Sequence, residues 1–583
     1  MDIERSIEYY ESRVWDLKWE DIASHECNAK ILQRLRDNDP DFTSITLTDF
    51  FDPMRMFLSD LPEEDDKFVV TNNDDMGWLG YLIGRNNQLQ DLTISISNSI
   101  IDDPNLSPSQ IEALTQGISL NRSISMLTVD GGLGYLFLQR LGNFFRSNKS
   151  LTHLELTEFD IGLVSALKLA LMLRDMSLEY FHVERLCYDS DSHRFIDECA
   201  VTAEVITALG KHTKLEHLHL WTCNLDQNSC MALGRLSSLT VLSLGSSAIN
   251  DEGMQALVCG LSARSHLDQS NVLLPSCCSL QRLELSRMSI DYDKAVALSS
   301  GLASLHSLKE LSLANSIGDD ALQRLVAAMA INNAVEVLDL SENDSITAKG
   351  LSFLASLLQS ERWCLRELFL RYMRIGDDGT AALTEPLAGN KSLKRLEFHD
   401  FGHVEVEIGS TGWSAFTRLL CNTSSINNTY LSNHTLDMCM CNRNPLFGRT
   451  PVIVPTDVEY YLALNRDMDH ARASMYKILS EHPEFDMKPL LQQWQLKFLP
   501  LMVAWFKTAR SRRHKMRCDA FTSIDVLQRR ELSAIYQFMR GLPSLAVSGY
   551  LERKMTGSRS KKRKQTNIDS FFNHVERPLQ RRK

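Results

Sequence analysis

Eight residues near the end of the chain, Gln565-Thr566-Asn567-Ile568-Asp569-Ser570-Phe571-Phe572, have the types and spacing of a contact peptide. Ile568, Phe571 and Phe572 stand at i, i+3 and i+4, so one helical turn gathers their side chains into a single apolar plug. Gln565, three residues upstream, puts an amide at the edge of the plug, where it can both donate and accept hydrogen bonds. The flanking residues are Lys, Arg, Ser, Asn and Gln, with almost no apolar partner to bury the plug locally. The chemistry this predicts is docking into a pocket on another molecule.

The octapeptide resembles the PIP box, the Q-x-x-[ILM]-x-x-[FY]-[FY] peptide by which replication and repair proteins bind the sliding clamp, proliferating cell nuclear antigen (PCNA). All of its defining positions match, and the basic lead-in Lys561-Lys562-Arg563-Lys564 is also typical of such peptides. The resemblance implies that Gln565 fills a small polar pocket on PCNA. Ile568, Phe571 and Phe572 would enter the hydrophobic pocket beneath the clamp's interdomain loop. Members that double as degradation signals carry Thr-Asp before the aromatic pair and a basic residue four positions after it. Here Asp569-Ser570 and Glu576 occupy those places, which favours binding over clamp-triggered destruction.

Charge separates the tail from the body. Between Leu551 and Lys583 there are eleven Lys and Arg against three Asp and Glu, in a chain whose formal net charge is −12. Lys561, Lys562, Arg563 and Lys564 satisfy an importin-read signal, so a nuclear protein is expected, with cytoplasmic residence also open. The tail's few aromatics limit direct nucleic-acid contact to weak, non-specific attraction. Met1 to Glu11 lacks an apolar targeting core, and the longest apolar run, around Phe498 to Phe506, is too short to span a bilayer.

No phosphate-cradling G-x-x-x-x-G-K, no H-E-x-x-H, no G-x-S-x-G and no kinase signature occurs, so no catalytic residue and no cofactor is assigned. The thirteen cysteines form no CxxC pair, which fits reduced thiols. Cys421, His434, Cys439 and Cys441 cluster in sequence, but their spacing matches no zinc module, and no metal is expected.

The elements that carry these sites repeat. An L-x-x-L-x-L core recurs at Leu151/Leu154/Leu156, Leu215/Leu218/Leu220, Leu239/Leu242/Leu244, Leu280/Leu283/Leu285 and Leu308/Leu311/Leu313. It continues at Val335/Leu338/Leu340, Leu365/Leu368/Leu370 and Leu393/Leu396/Phe398. Weaker copies stand at Leu89/Leu92/Ile94, Ile124/Leu127/Val129, Leu178/Phe181/Val183 and Ile426/Thr429/Leu431. Helical stretches such as Ala321 to Met329 separate them. The units resemble ribonuclease-inhibitor-type leucine-rich repeats, although few keep the Asn or Cys that usually follows the strand, Cys223 and Asn343 being plain matches.

The fold class expected is therefore α/β: a leucine-rich repeat solenoid, a horseshoe with parallel strands inside and helices outside, then a helical C-terminal cap and a disordered basic tail. Residues 1–76 read as an N-terminal cap with a strand-like patch at Ser44 to Leu47, 77–437 as solenoid, 438–550 as helical cap and 551–583 as tail. The non-leucine strand positions face the concave side. There Glu155, His219, Trp221, Glu284, Asp339, Phe369 and Glu397 make an acid-leaning face, with Trp221 and Phe369 as anchors for a basic protein segment, the chain's own tail among the candidates.

The function this supports is a non-enzymatic nuclear adaptor that holds one protein on the repeats and PCNA on its tail. Two alternatives follow from resemblance to other repeat solenoids. One is a regulator like the Ran GTPase-activating protein, whose family typically has an acidic tail where this chain has a basic one. The other is a ubiquitin-ligase substrate receptor, of whose F-box only Leu61-Pro62-Glu63 is suggestive.

Overall fold

The computed structural model describes residues 7–482 except 22, 24–25, 49–65, 71–74, 97–107, 131–140, 158–176, 185–197, 263–278, 361–362, 399–407 and 441–453. Gln565, Ile568, Phe571, Phe572 and Lys561 to Lys564 lie outside the described residues, as does the part of the expected helical cap after residue 482. The chain forms two compact units, one of residues 1–420 and 432–467, the other of residues 421–431 and 468–583.

In the larger unit the strands are β1 (Ser44–Thr48), β2 (Lys67–Val69), β3 (Asp91–Ser95), β4 (Met126–Asp130), β5 (His153–Leu156), β6 (Tyr180–Glu184) and β7 (His217–Trp221). They continue through the short β8 (Asn224–Leu225), then β9 (Val241–Ser243), the short β10 (Ala248–Ile249), β11 (Arg282–Glu284) and β12 (Glu310–Ser312). The last four are β13 (Val337–Asp339), β14 (Glu367–Phe369), β15 (Arg395–Glu397) and β16 (Met438–Met440). All but β8 and β10, which pair with each other, join one 14-stranded sheet that follows chain order except that β2 lies outside β1 at the edge. Every pairing is parallel, because a helix or a longer connection returns the chain to the same end before each new strand.

The leucines explain the stacking. Leu154, Phe181, Leu218, Leu242, Leu283, Leu311, Leu338, Leu368 and Leu396 are successive register partners, each at most 1% exposed. Burial of each contributes about 1.5–3 kcal/mol. The helices lie on the other side of this row. Asp319–Asn332, for example, opens with Asp319 and Asp320 in its first turn and buries Leu322, Leu325, Val326 and Met329. It closes on Asn333 at φ 59°, a left-handed residue whose N–H reaches the Met329 carbonyl.

The sheet extends beyond residue 77 toward the N-terminus. Ile45 and Leu47 of β1 pair with Leu92 and Ile94 and are buried, and the helix Glu26–Arg36 precedes them, so residues 26–48 add a helix and a strand to the array. Buried Asn28 grips β2 by donating to the Val69 carbonyl at 2.9 Å and accepting its N–H at 2.8 Å. At the other end, β16 adds a strand after β15, and a helix spans Thr456–Asp467, where Pro455 and Asp457 predict one. The weak repeat copy at Ile426/Thr429/Leu431 is not a strand. Ser425 accepts the Asn428 N–H at 3.1 Å and caps a helical turn, Ile426–Tyr430, in the smaller unit.

Serines replace the sparse strand-exit asparagines. The Ser247 hydroxyl accepts the Cys223 N–H at 3.0 Å and donates to the Leu220 carbonyl at 2.9 Å. Ser316 does the same for Met288 N–H and the Leu285 carbonyl, and Asn343 Nδ2 donates to the carbonyls of Leu313 and Leu340. A second ladder runs at the opposite corner through Asn86, Asn121, Asn148, Asn332, Asn390 and Asn433. Asn121 Nδ2 donates to the Ile83 and Asn86 carbonyls at 2.7 and 2.9 Å, and its Oδ1 accepts the Ile124 N–H at 2.9 Å. Each of these asparagines stands three residues before the first apolar residue of its repeat, a spacing visible in the sequence.

Glycines set the closest helix contact. A Cβ on Gly117, in the helix Pro108–Leu120, would fall 1.7 Å from the Gly80 carbonyl oxygen in the helix Asp75–Arg85. Backbone cannot yield as a side chain can, so Gly117→Ala is expected to destabilise the fold by about 1–3 kcal/mol in a urea titration.

In the smaller unit the helix His470–Glu481 is capped by Asp469, whose carboxylate accepts the Arg472 N–H at 2.9 Å. Lys477 is fully buried there, and burial pulls its pKa down to about 7.

Candidate functional site

The register brings the expected face residues together on the side of the sheet away from the helices. Glu155, His182, His219 and Ser243 are successive partners across β5, β6, β7 and β9. Glu284, Ser312, Asp339, Phe369 and Glu397 continue the row to β15. Past β7, β9, β11, β12, β13 and β14 the chain turns on a residue with positive φ: Thr222 at 55°, Ser246 at 56°, Arg287 at 58°, Asn315 at 51°, Glu342 at 61° and Tyr372 at 59°. This repeated left-handed step, uncommon for a side chain other than glycine, sets Thr222, Ser246, Arg287 and Glu342 around one depression.

That depression is a hollow of about 470 Å³ between Trp221 on β7 and Phe369 on β14. Five strand spacings separate those two strands, about 24 Å. Its floor is small, with Gly245, Ser286, Ser312 and Ala314, while Glu184, Glu284, Glu310, Asp339 and Glu342 outnumber Arg282 and Arg287. The arginines are engaged, Arg282 with Glu310 and Arg287 with Glu342, each at 3.4 Å. No Lys or Arg among the described residues pairs with Glu284 or Asp339. Asp339 Oδ1 accepts only the backbone N–H and hydroxyl of Ser341, at 3.0 and 2.5 Å. The middle of the hollow therefore carries uncompensated negative charge.

Glu397 does not belong to that acidic surface, contrary to its reading as an exposed face residue. It is 1% exposed, and its carboxylate accepts Arg371 Nε and Arg395 Nε, both at 2.6 Å. The same guanidinium groups lie over Phe369, Arg371 4.4 Å and Arg395 5.3 Å from the ring centroid. Glu397 thus organises two cations around an aromatic ring and offers nothing to a partner. Arg371 and Arg395 stand in columns beside the central one, where a reading of the central positions alone misses them.

Toward β5 the face becomes aromatic. Tyr180 stacks on His153 with centroids 5.6 Å apart and lies 5.2 Å from His219, while His182 meets His219 at 5.5 Å and Trp221 at 5.6 Å. His153 and Tyr180, with His217 6.0 Å from Tyr180, are additions to the expected site. Their signal was the second column of the strands, one pleat from the residues read as central. His182 Nδ1 lies 2.8 Å from Glu155 Oε1, and this hydrogen bond holds the Glu155 carboxyl below its usual range. Burial, reinforced by Glu155, pushes the Tyr180 phenol up to about 12. Burial first, then the neighbouring His182, His217 and Arg282, pulls His219 down to about 4.

The His219 and Glu155 shifts make the protein acid-sensitive. Between pH 6.5 and about 4 an unfolded chain protonates His219 and the folded one does not, so the stability present at pH 7 falls as the pH falls through that window. Glu155, with its folded pKa depressed, adds stability above the unfolded value that is lost at still lower pH. The His219 contribution is about 1–2 kcal/mol after allowance for solvent reaching the ring. His219→Phe is expected to flatten the urea midpoint between pH 6.5 and 4.

A profile for the family "Leucine Rich repeat" matches residues 235–258 and 332–355. Mouse ribonuclease inhibitor is 33% identical over 194 residues, 32% of this chain and 40% of that protein. The body is a leucine-rich-repeat solenoid. Pig ribonuclease inhibitor is 31% identical over 199 residues, 33% of this chain and 41% of its own. Human NACHT, LRR and PYD domains-containing protein 13 is 29% identical over 255 residues, 42% of this chain and 22% of its own. This solenoid is thus related at low identity to ribonuclease inhibitors and NACHT-LRR proteins, and the matches span less than half the length of each. An internalin from Listeria monocytogenes overlays 65% of the chain and 96% of its own at 15% identity and a TM-score of 0.29, too loosely to bear on the site.

Among the described residues no group of three or more His, Cys, Asp or Glu is placed to hold a metal ion. Of the four clustered candidates, Cys441 lies outside the described residues. No helix among the described residues is long and apolar enough to cross a membrane. The repeat architecture is one suited to holding another protein on its strand face.

Proposed function

We propose that this solenoid is an adaptor that holds a basic segment of a partner protein in the hollow between Trp221 and Phe369 and tethers it, through its C-terminal peptide, to the sliding clamp PCNA. The observation that carries the first half is the uncompensated charge of Glu284 and Asp339 on a small-residue floor between two aromatic walls. An incoming Lys or Arg gains the attraction those carboxylates offer, and the Trp221 wall supplies an apolar anchor around which interface energy concentrates. The test is a titration of the full chain with a labelled basic peptide at rising salt. Affinity is expected to fall steeply with salt, and a matched peptide with Glu in place of each Lys and Arg is expected not to bind. Equal affinity for the two peptides contradicts the reading.

The second half is supported by Gln565, Ile568, Phe571 and Phe572, and by Lys561, Lys562, Arg563 and Lys564 as an importin-read signal that would bring the chain to the nucleus. Because the clamp presents several equivalent sites, a reversible peptide contact would raise the local concentration of whatever the hollow carries.

A further inference from the structure

Trp221 is held flat before any partner arrives. Its Nε1–H donates to the Ser243 hydroxyl at 2.8 Å on the neighbouring strand. The five-membered side of the indole lies over Gly245, where an added Cβ would meet Cε2 and Nε1 at 3.2 Å and Cδ2 at 3.3 Å. The ring is thereby anchored at one edge and seated on bare backbone, and Trp221 lines the hollow. Carboxylates stand on both sides: Glu184 is its register partner on β6, and Glu284 is the register partner of the Ser243 that tethers it.

The opposite wall shows what such a surface accepts. Phe369 is covered by the guanidinium groups of Arg371 and Arg395, which a carboxylate, Glu397, holds in place. No Arg or Lys among the described residues lies over Trp221, although it too has a carboxylate beside it.

We infer that the Trp221 indole, set by Ser243 and Gly245, is a receptor for one arginine side chain of the partner, with the Glu284 carboxylate taking its N–H groups. The inference rests on the proposed basic partner and makes it specific. A planar guanidinium stacks on a flat aromatic face while its fork meets a carboxylate. An ammonium is a compact, strongly hydrated point charge and does only the second. Trp221 is thus a specificity-determining residue, and Gly245 and Ser243 position it.

The experiment uses the full chain and two labelled peptides of one length on a Gly-Ser background, one with four arginines and the other with four lysines at the same places, titrated by fluorescence anisotropy. The arginine peptide is expected to bind roughly tenfold tighter, the range a partly desolvated cation–π contact supplies. Trp221→Leu is expected to bring the arginine peptide to the lysine level while changing the lysine peptide by less than about threefold. Trp221→Phe keeps a ring but loses the Ser243 bond, and Gly245→Ala lifts the indole, so each is expected to give an intermediate preference. The ratio of the two affinities is the readout because a loss of folded protein would lower both together. Equal binding of the two peptides to the natural chain, or equal weakening of both by Trp221→Leu, overturns the arginine assignment and leaves the basic-partner reading intact. Failure of both peptides to bind overturns both.

Discussion

The isolated C-terminal peptide carrying Phe571→Ala and Phe572→Ala is expected to give no measurable heat when titrated into purified PCNA, while the natural peptide binds in the micromolar range. The two rings are most of the plug that Ile568 completes, and burial of each contributes about 1.5–3 kcal/mol. A micromolar complex has a binding free energy of about −8 kcal/mol, so losing both rings leaves affinity at least about a hundredfold weaker. Gln565→Ala, which removes only the orienting amide, is expected to weaken binding less. The basic run Lys561 to Lys564 assists through charge, so the natural peptide's affinity is expected to decline with salt while the effect of the aromatic pair persists. Equal heats for the natural and double-alanine peptides refute the docking assignment.

Glu397→Ala is expected to destabilise the repeat unit by about 2–4 kcal/mol, lowering the urea midpoint. The carboxylate is buried and accepts two arginines, so its removal leaves Arg371 beside Phe369 without its counter-charge and Arg395 with only Glu367, at 3.5 Å. The partial exposure of Arg371 and Arg395, each 34% at the side chain, lets water relieve some of that cost, which is why the loss stays below the range of a fully buried pair. Glu397→Lys is expected to be worse, because it places a third cation at the same point. Mutation of Glu397 therefore reads out as lost stability rather than as lost partner binding, the reverse of the expectation for Glu284 and Asp339. A Glu397→Ala variant with an unchanged urea midpoint contradicts this account of the arginine cluster.

These two residue sets also show what the sequence discloses. The repeat is legible because Leu218 and Leu220, or Leu338 and Leu340, alternate with polar residues at the strand period and recur with the helix between them. Phe42, Ile45 and Leu47 carry the same pattern with an aromatic in the first place, and the structure makes them part of β1 and its core. Ile426, Thr429 and Leu431 carry it by coincidence, because Ser425 caps a helical turn that spacing alone does not reveal. Along the face, the central column was readable by counting, and its order across the sheet is as counted. The fate of a given charge was not, since it depends on residues two positions away along the same strand or beside it on the next. Arg371 and Arg395 internalise Glu397, whereas Ser341 leaves Asp339 facing the hollow. The flat seat of Trp221 likewise needs Gly245 and Ser243, whose nearness to it follows from register and not from sequence distance.

The account's central claim is that the hollow's unmatched carboxylates, and not the chain's acidity in general, recruit the partner. Glu284→Lys with Asp339→Lys should weaken a labelled basic peptide at least about thirtyfold at physiological salt, as two desolvated charge contacts become repulsive. Glu252→Lys with Asp293→Lys changes net charge equally on exposed helix positions and should leave affinity within about threefold. Equal losses from the two pairs, or none from the first, would contradict the claim.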